Sequence, residues 1–198
     1  LQVFGTVTKS AVNSGADLVG YSGFSSSNYL AQPYISDQSI GTGDAYMTAW
    51  VKVSTTSNTY MIMSREGATY NAAFNMRIQN GVFAIWATGD SFTSYITRNA
   101  STIGDNVWHQ VSFVKRGSNY EAYVDGVLRD TGYYAVALND SGTERIFIST
   151  RQNHQGTYES FPGSIALARF SHTAPSPEQI KKIYEDEKFL FQENAQAT

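Results

Sequence analysis

The sequence contains no cysteine, only four prolines and only three histidines. Without cysteine, neither disulfides nor thiolate metal sites can hold the fold, so its stability must come from packing. The histidines, His109, His154 and His172, lack the spacing of a zinc site. Charged residues are few, at 16% of the chain, and the net charge of −3 comes without a basic cluster. We therefore expect neither nucleic acid nor an anionic membrane surface as a partner.

Long apolar runs are absent as well. No stretch approaches the roughly 18 residues that a membrane-spanning helix needs, and the N-terminus lacks the basic and apolar blocks of a signal peptide. We expect no membrane insertion. The 198 residues suffice for one sizeable core in a single domain. Because the chain starts at Leu1 and stops just past a helical pattern, we expect it to be a segment of a longer protein.

Alternation of apolar and polar residues is the strongest pattern that is present. Residues 45–53 and 107–114 alternate with a period of two, as β-strands do. Asn80-Gly81 and Asp125-Gly126 lie between apolar runs and tolerate the positive φ angles of a type I′ turn, which predicts two hairpins. Further strands are predicted at residues 1–9, 58–63, 91–98, 145–150 and 164–170, and a loop at residues 13–27.

One helix is predicted near the C-terminus. Ser176 can cap it, Pro177 suits its first position, and Gln179 stands three residues after Ser176 as in a capping box. The acidic run at 185–187 is interpreted as a solvated helix face. Trp50 and Trp108 lie within strong strands and are predicted to fill a sandwich core, and His109 is predicted to be a hydrogen-bonded structural residue. Trp86, Tyr95 and Phe92 flank a turn at Gly89-Asp90, where an exposed aromatic ring could stack on a sugar. Core packing is the prediction for Trp86 as well.

Several motifs occur in a fixed order along the chain. They are Asn28-Tyr29-Leu30 with residues 47–52, Trp108-His109-Gln110-Val111 with Tyr123-Val124-Asp125-Gly126, residues 161–166, and residues 177–180 with Ile183-Tyr184. Together they resemble the laminin-G-like, concanavalin A-like jelly-roll domains. The resemblance implies an all-β fold: two antiparallel sheets in a jelly-roll sandwich, with one short C-terminal helix. It divides the chain into an N-terminal strand and lead-in loop (1–23), the jelly-roll domain (24–184), and a helix end with a linker (185–198).

A second resemblance concerns the setting of the domain. Residues 21–24, 27–30 and 183–188 are similar to jelly-roll domains in large virion and tail-fibre proteins of marine bacteriophages. This similarity implies an extracellular or virion-surface location. Neighbouring subunits of an assembly are then expected partners beside a cell-surface or environmental glycan.

Two polar loops are the candidate binding regions, since function in this fold must be argued from particular sites. Residues 65–71 and 151–159 each offer cations, carboxylates, aromatic rings and amides. Sugars combine apolar faces with dense hydroxyls, so their sites combine aromatic platforms with planar hydrogen-bonding groups. The candidate carbohydrate-binding residues are Arg65, Tyr70, Asn71, Arg151, Asn153, His154 and Tyr158. The alternative is that these loops are polar only because loops face solvent.

Catalysis has little support in the sequence. The Glu-x-Asp-x-Glu array that would place carboxylates for glycoside hydrolysis along one strand face does not occur. Arg151, Gln152, His154 and Tyr158 include the residue types of a polysaccharide lyase, but they share one apparent loop. No cofactor is required, and the resemblance allows a rim calcium ion for which no ligands are assigned.

These observations predict a non-catalytic binding module of a larger surface or virion protein that recognises carbohydrate through rim loops. The alternative is a structural or decoration domain that contacts neighbouring subunits. Exposed aromatic residues or a long uncovered edge strand would favour that alternative.

Overall fold

In the computed structural model, the chain is described at residues 1–54, 57–66, 74–89, 95–138, 142–153 and 156–196. These residues form sixteen strands and one α-helix. The first eight strands are β1 (Gln2–Phe4), β2 (Thr8–Ala11), β3 (Val19–Ser22), β4 (Tyr29–Gln32), β5 (Ala45–Lys52), β6 (Thr59–Glu66), β7 (Phe74–Gln79) and β8 (Val82–Thr88). The others are β9 (Tyr95–Thr102), β10 (Trp108–Arg116), β11 (Asn119–Val124), β12 (Val127–Tyr133), β13 (Arg145–Ile148), β14 (Arg151–Asn153), β15 (Gly156–Tyr158) and β16 (Ser164–Ser171).

Two seven-stranded antiparallel sheets form a sandwich, as the sequence predicts. Sheet A has the order β1-β4-β13-β6-β7-β8-β9, and sheet B has the order β12-β11-β10-β5-β16-β3-β2. β14 and β15 form a separate small hairpin. No helix in the described part of the chain is long and apolar enough to cross a membrane.

The core lies between the facing sides of the two sheets. Phe74 of sheet A meets Phe113 of sheet B with ring centroids 5.5 Å apart, and Phe113 meets Tyr120 at 5.8 Å. All three side chains are fully buried. Because every second residue of a strand points to the same face, the alternating pattern of the sequence supplies this core and also fixes which residues face outward.

Both predicted hairpins are confirmed. Asn80 and Gly81 have φ angles of 52° and 76°, and Asp125 and Gly126 have φ angles of 52° and 72°. Two successive residues with positive φ define the type I′ turn. The first turn joins β7 to β8, and the second joins β11 to β12.

The predicted structural role of His109 is also confirmed. Its Nδ1 atom lies 2.7 Å from Asp125 Oδ2, and its Nε2 atom lies 3.2 Å from both carboxylate oxygens of Asp105. Asp125 Oδ1 also accepts a hydrogen bond from the backbone N–H of Gln110 (3.0 Å). The hydrogen bond to Asp125 and the charges of both carboxylates raise the pKa of His109 above its usual value.

The N-terminal region differs from its prediction. Residues 1–9 are not one strand, because the chain turns at Gly5 (φ 63°), so that β1 joins sheet A and β2 joins sheet B. β3 lies inside the segment predicted to be a loop, and that interpretation was wrong. Short strands interrupted by Gly and Ser leave too little alternation to be recognised.

The helix α1 (Pro177–Glu187) begins as predicted. Ser176 Oγ accepts a hydrogen bond from the backbone N–H of Gln179 (3.3 Å), and Gln179 Oε1 accepts one from the backbone N–H of Ser176 (2.8 Å). A short 3₁₀ segment, Lys188–Phe191, follows the helix. The predicted division of the chain after residues 23 and 184 stays a prediction.

The C-terminal segment covers the outer face of sheet B. Trp50 stacks on Tyr184 and Phe191 with ring centroids 5.6 and 4.1 Å apart, and its Nε1 atom donates to Glu187 Oε2 (2.7 Å). Trp108 also packs on Phe191 (4.9 Å). Trp50 is therefore buried, but outside the sandwich core to which it was assigned, because the docked segment and not the facing sheet covers it.

Candidate functional site

The outer face of sheet A carries buried polar side chains instead of a docked helix. Cross-strand pairing places Ser64 opposite Asn75, Asn75 opposite Trp86, and Met61 opposite Arg77. Since paired residues share a face, these side chains lie side by side across β6, β7 and β8. We call the following set the polar cluster: Ser64, Glu66, Asn75, Arg77, Trp86, Arg151 and Glu159.

Strand alternation separates Arg65 from the polar cluster. Arg65 pairs with the core residue Phe74, and its guanidinium carbon lies 5.9 Å from that ring centroid. Its Nε atom donates to the carbonyl of Gln38 (3.0 Å), and the residue is fully buried. The next residue, Glu66, therefore points to the outer face.

Glu66 is a buried carboxyl group within the cluster. Its Oε1 atom accepts a hydrogen bond from Asn75 Nδ2 (3.1 Å). Its Oε2 atom and Asn75 Oδ1 are buried and have no hydrogen-bond partner among the described residues. Burial raises the pKa of Glu66 to about 7, although the nearby Arg151, the amide of Asn75 and Arg77 favour the charged form. The carboxyl group thus titrates close to neutral pH.

Arg151 and Glu159 form an ion pair beside Glu66. Arg151 Nε lies 2.8 Å from Glu159 Oε2, and Arg151 Nη2 donates to Glu159 Oε1 (3.2 Å). The two residues flank the β14–β15 hairpin. Ser64 Oγ donates to the carbonyl of Thr150 (3.0 Å), which ties the start of this hairpin to β6. The side chains of Arg151 and Glu159 keep 16% and 25% of their surface exposed, so a ligand can reach both.

Arg77 and Trp86 form the other side of the cluster. The guanidinium carbon of Arg77 lies 6.0 Å from the centroid of the Trp86 ring, and its Nη2 atom donates to Gln79 Oε1 (3.3 Å). Trp86 is 6% exposed and Arg77 is half-buried. A guanidinium beside an indole presents charge, planar donors and an apolar face together.

The sequence-predicted site residues fall into three groups. Arg65 is not at the surface; it lies at the end of β6 and not in a loop, because the strand continues to Glu66. Arg151 lies in the polar cluster. Tyr70, Asn71 and His154 lie outside the described residues, as do the side chains of Asn153 and Tyr158, whose backbones belong to β14 and β15. Glu66 comes from the first predicted loop (65–71) and Arg151 from the second (151–159). The fold places the two side chains close enough for the charge of Arg151 to lower the pKa of Glu66.

Sequence reasoning missed Asn75 and Arg77. The signal was present in β7, where Phe74, Met76 and Ile78 are buried in the core and the two residues between them are polar. Trp86 was assigned to the core, yet it occupies the outer face with Asn75. The alternation of residues in β7 predicts that one face of this strand is polar. It does not predict that polar side chains from the neighbouring strands lie on the same face.

The described residues contain no group of three or more His, Asp or Glu side chains placed to share one metal ion. The acidic members of the cluster, Glu66 and Glu159, are instead neighbours of Arg77 and Arg151. This set of charges favours hydrogen bonding to an organic ligand over coordination of a hard cation, which takes six to eight oxygen ligands.

The architecture defines a jelly-roll β-sandwich with one outer face covered and the other polar. Residues 24–181 match the model of the concanavalin A-like lectin/glucanases superfamily, and the chain belongs to that superfamily. No curated protein sequence matches the chain.

Two of the similar solved structures are binding domains of toxins. The botulinum neurotoxin serotype G binding domain matches with a TM-score of 0.73 at 10% identity, over 94% of this chain and 46% of that one. The binding domain of Paraclostridial Mosquitocidal Protein 1 matches with a TM-score of 0.69 at 11% identity, over 93% and 47%. The chain therefore spans about half the length of these toxin domains.

A third structure is matched over nearly its whole length. The CBM40 of the Ruminococcus gnavus IT-sialidase, bound to α2,3-sialyllactose, has a TM-score of 0.61 and 14% identity, over 78% of this chain and 97% of that one. At such identities the similarity shows the fold alone.

Proposed function

We propose that this chain is a non-catalytic carbohydrate-binding module that recognises an acidic glycan at the polar cluster on the outer face of sheet A. One observation carries the proposal: Glu66 and Asn75 are buried there with polar oxygens that no described residue satisfies. An unsatisfied buried polar atom costs about 1–3 kcal/mol. A ligand that donates hydrogen bonds to these oxygens would offset that cost.

The chemistry around these oxygens fits a sugar. Arg77 and Arg151 supply planar donors, the amide of Asn75 supplies a donor and an acceptor, and Trp86 supplies an aromatic ring. A guanidinium matches a carboxylate with two parallel hydrogen bonds, which favours an acidic sugar over a neutral one.

Sialylated glycans are the first candidates within this class. The Ruminococcus gnavus CBM40 binds sialyllactose. This chain matches 97% of the length of that domain, so the comparison includes nearly the whole of a sialyllactose-binding protein. The toxin domains support the choice less, since each is covered over only about half of its length.

The setting of the module is also a proposal. We place it on an extracellular or virion surface, as part of a larger tail-fibre-like adhesion protein. Its recognition is assigned to the polar cluster together with the sequence-predicted residues Tyr70 and His154, which lie outside the described residues. Calcium is proposed as an accessory ion at most, because the described cluster pairs its carboxylates with arginines.

The test is a glycan-array screen of the purified protein with calcium and with a chelator, followed by titration calorimetry on the strongest hits. We expect sialylated probes to bind and lactose to bind at least about tenfold more weakly, since a charged hydrogen-bonded pair contributes about 1.5–3 kcal/mol. Arg151→Ala and Arg77→Met should each abolish the preference for the acidic probe.

Arg129→Met is the matched control, because Arg129 is an exposed arginine on β12 of the other sheet. It should bind as the wild type does. Uniform failure to bind any glycan under both conditions would overturn the proposal, as would an unchanged preference in the Arg77 and Arg151 variants.

A structural role is the second candidate, and an edge strand favours it. β12 is the last strand of sheet B, and it exposes 47% of Val127, 46% of Leu128 and 70% of Tyr133. An edge strand with exposed apolar side chains is a template for pairing with another chain. Light scattering across a concentration series tests this role: a concentration-dependent oligomer that Tyr133→Lys abolishes would support it, and a monomer at every concentration would not.

A further inference from the structure

Sheet B carries a cleft at the end of its outer face that the C-terminal segment leaves open. The cleft has a volume of about 470 Å³, within the usual range of small-molecule sites. Its polar lining comes from five strands and the loops beside them: Ser10, Ser22, Lys52, Asn106, Ser164 and the indole of Trp108.

Strand pairing explains why these side chains converge. Lys52 pairs with Trp108 on one side and with Ser164 on the other, so all three share the outer face. Ser10 pairs with Gly20 on the neighbouring strands, and strand alternation places Ser22 on the same face as Gly20. The polar row therefore runs across β10, β5, β16, β3 and β2.

Trp108 forms a fixed wall of the cleft. Its Nε1 atom donates to the carbonyl of Val12 (2.9 Å), and its ring packs on Phe191. A Cβ atom at Gly20 would lie 3.2 Å from Cη2 of the indole, so glycine at this position lets the ring approach β3 closely. The ring is only partly buried and presents an apolar surface beside the hydroxyl groups.

Five of the polar side chains that line the cleft have no partner among the described residues. In the part of the chain that the structure describes, no hydrogen bond or ion pair involves the ammonium of Lys52, the hydroxyls of Ser10, Ser22 and Ser164, or the side-chain amide of Asn106. Lys52 is the one charged residue among the described lining residues, and no carboxylate opposes it.

We propose that this cleft is a second ligand site, which binds one acidic monosaccharide unit. The carboxylate of the sugar pairs with Lys52, its hydroxyls bond to the serines and Asn106, and its apolar face lies against Trp108. Lys52 is the only charged side chain among the described lining residues, so the cleft favours an anionic ligand. The neutral hydrogen-bonding groups beside the indole of Trp108 favour a ligand with several hydroxyls over an inorganic anion. The site lies on the other sheet from the polar cluster and does not depend on it.

The test is a ¹H–¹⁵N NMR titration of the intact chain with sodium glucuronate, glucose and inorganic phosphate as probes. Glucuronate is expected to shift the backbone signals of Ser22 and Ser164 and the indole signal of Trp108. Lys52→Met should weaken glucuronate binding about tenfold or more, the loss expected when a charged hydrogen bond is removed. Ser22→Tyr, which fills the cleft, should abolish the binding.

Lys9→Met is the matched control, since Lys9 is exposed on β2 but points to the opposite face from Ser10. It should bind glucuronate at the cleft as the wild type does. Equal shifts with glucose or with phosphate would overturn the assignment to an acidic sugar. Glucuronate shifts that are confined to residues outside the cleft, or wild-type affinity at the cleft in Lys52→Met, would overturn the site itself.

Discussion

The outer faces of the two sheets differ in what covers them. On sheet B, Trp50 is covered by aromatic residues of the C-terminal segment and by Glu187. On sheet A, Trp86 lies beside Asn75 and Arg77 near a carboxyl group with an unsatisfied oxygen. Both tryptophans stand on strands that are paired on both sides, β5 and β8, with the same alternating pattern. One face is thus built for stability and the other retains polar groups at some cost to stability, which is typical of binding sites.

The largest effect is expected on the covered face. Trp50→Ala should lower the free energy of unfolding by about 3–5 kcal/mol, the usual cost of removing a buried tryptophan. The stacks on Tyr184 and Phe191 and the hydrogen bond to Glu187 are lost together. Urea denaturation followed by circular dichroism measures this change.

The same variant separates the two faces functionally. At a temperature where Trp50→Ala remains folded, its affinity for a sialylated probe should equal that of the wild type. A large loss of affinity in the folded variant would show that the covered face takes part in recognition, and the contrast between the faces would fail.

The next effect concerns the polar face and its pH dependence. Because the folded-state pKa of Glu66 is raised from 4.5 to about 7, the folded protein holds a proton that the unfolded chain releases above pH 4.5. Stability therefore falls as the pH rises from about 4.5 to 7. Between pH 5 and pH 8 this loss is about 2–3 kcal/mol. Glu66→Gln should remove it, so that the variant gains stability over the wild type as the pH rises.

Unfolding free energies of both proteins at pH 5 and pH 8 provide the measurement. His109 also has a raised pKa, and its stabilisation by Asp125 and Asp105 is lost as the pH rises through that value. The contribution of His109 is the same in the wild type and in Glu66→Gln. The difference in unfolding free energy between the two proteins therefore reports on Glu66 alone. A constant difference between variant and wild type across the pH range would contradict the account of the polar face.

The smallest effect is expected at the start of the covering helix. Ser176→Ala removes the capping hydrogen bond to the backbone N–H of Gln179 and should cost about 1 kcal/mol. Thermal unfolding measures it, with Ser171→Ala as a control at a serine outside the helix. No change in the midpoint for Ser176→Ala would show that packing of Ile180 and Tyr184 alone positions α1.

Local sequence signals predicted most of the fold. The turns at Asn80-Gly81 and Asp125-Gly126 and the cap at Ser176 depend on neighbouring residues only, and each was found. The division of the N-terminal strand depends on Gly5, where the chain passes from one sheet to the other. Such a crossing is decided by tertiary packing, which local patterns do not contain.

The site was predicted less completely than the fold. Arg151 could be chosen because residues 151–159 are rich in polar residue types. Composition does not show that this predicted loop contains the strands β14 and β15, or which of its residues point inward. Arg65 was chosen for the same reason and lies against Phe74 in the core. Glu66 and Asn75 meet across two strands, and Arg151 joins them from a distant part of the chain. Contacts between distant segments of this kind cannot be obtained from one sequence.

The most direct test of the central claim uses the three tryptophans as reporters. The indole ¹H–¹⁵N signals of Trp50, Trp86 and Trp108 can be followed while Ser22→Tyr protein, in which the second cleft is filled, is titrated with α2,3-sialyllactose. The account predicts that the Trp86 signal moves in a saturable way while the Trp50 signal stays in place. Saturable binding that leaves Trp86 unmoved would contradict the assignment of recognition to the outer face of sheet A.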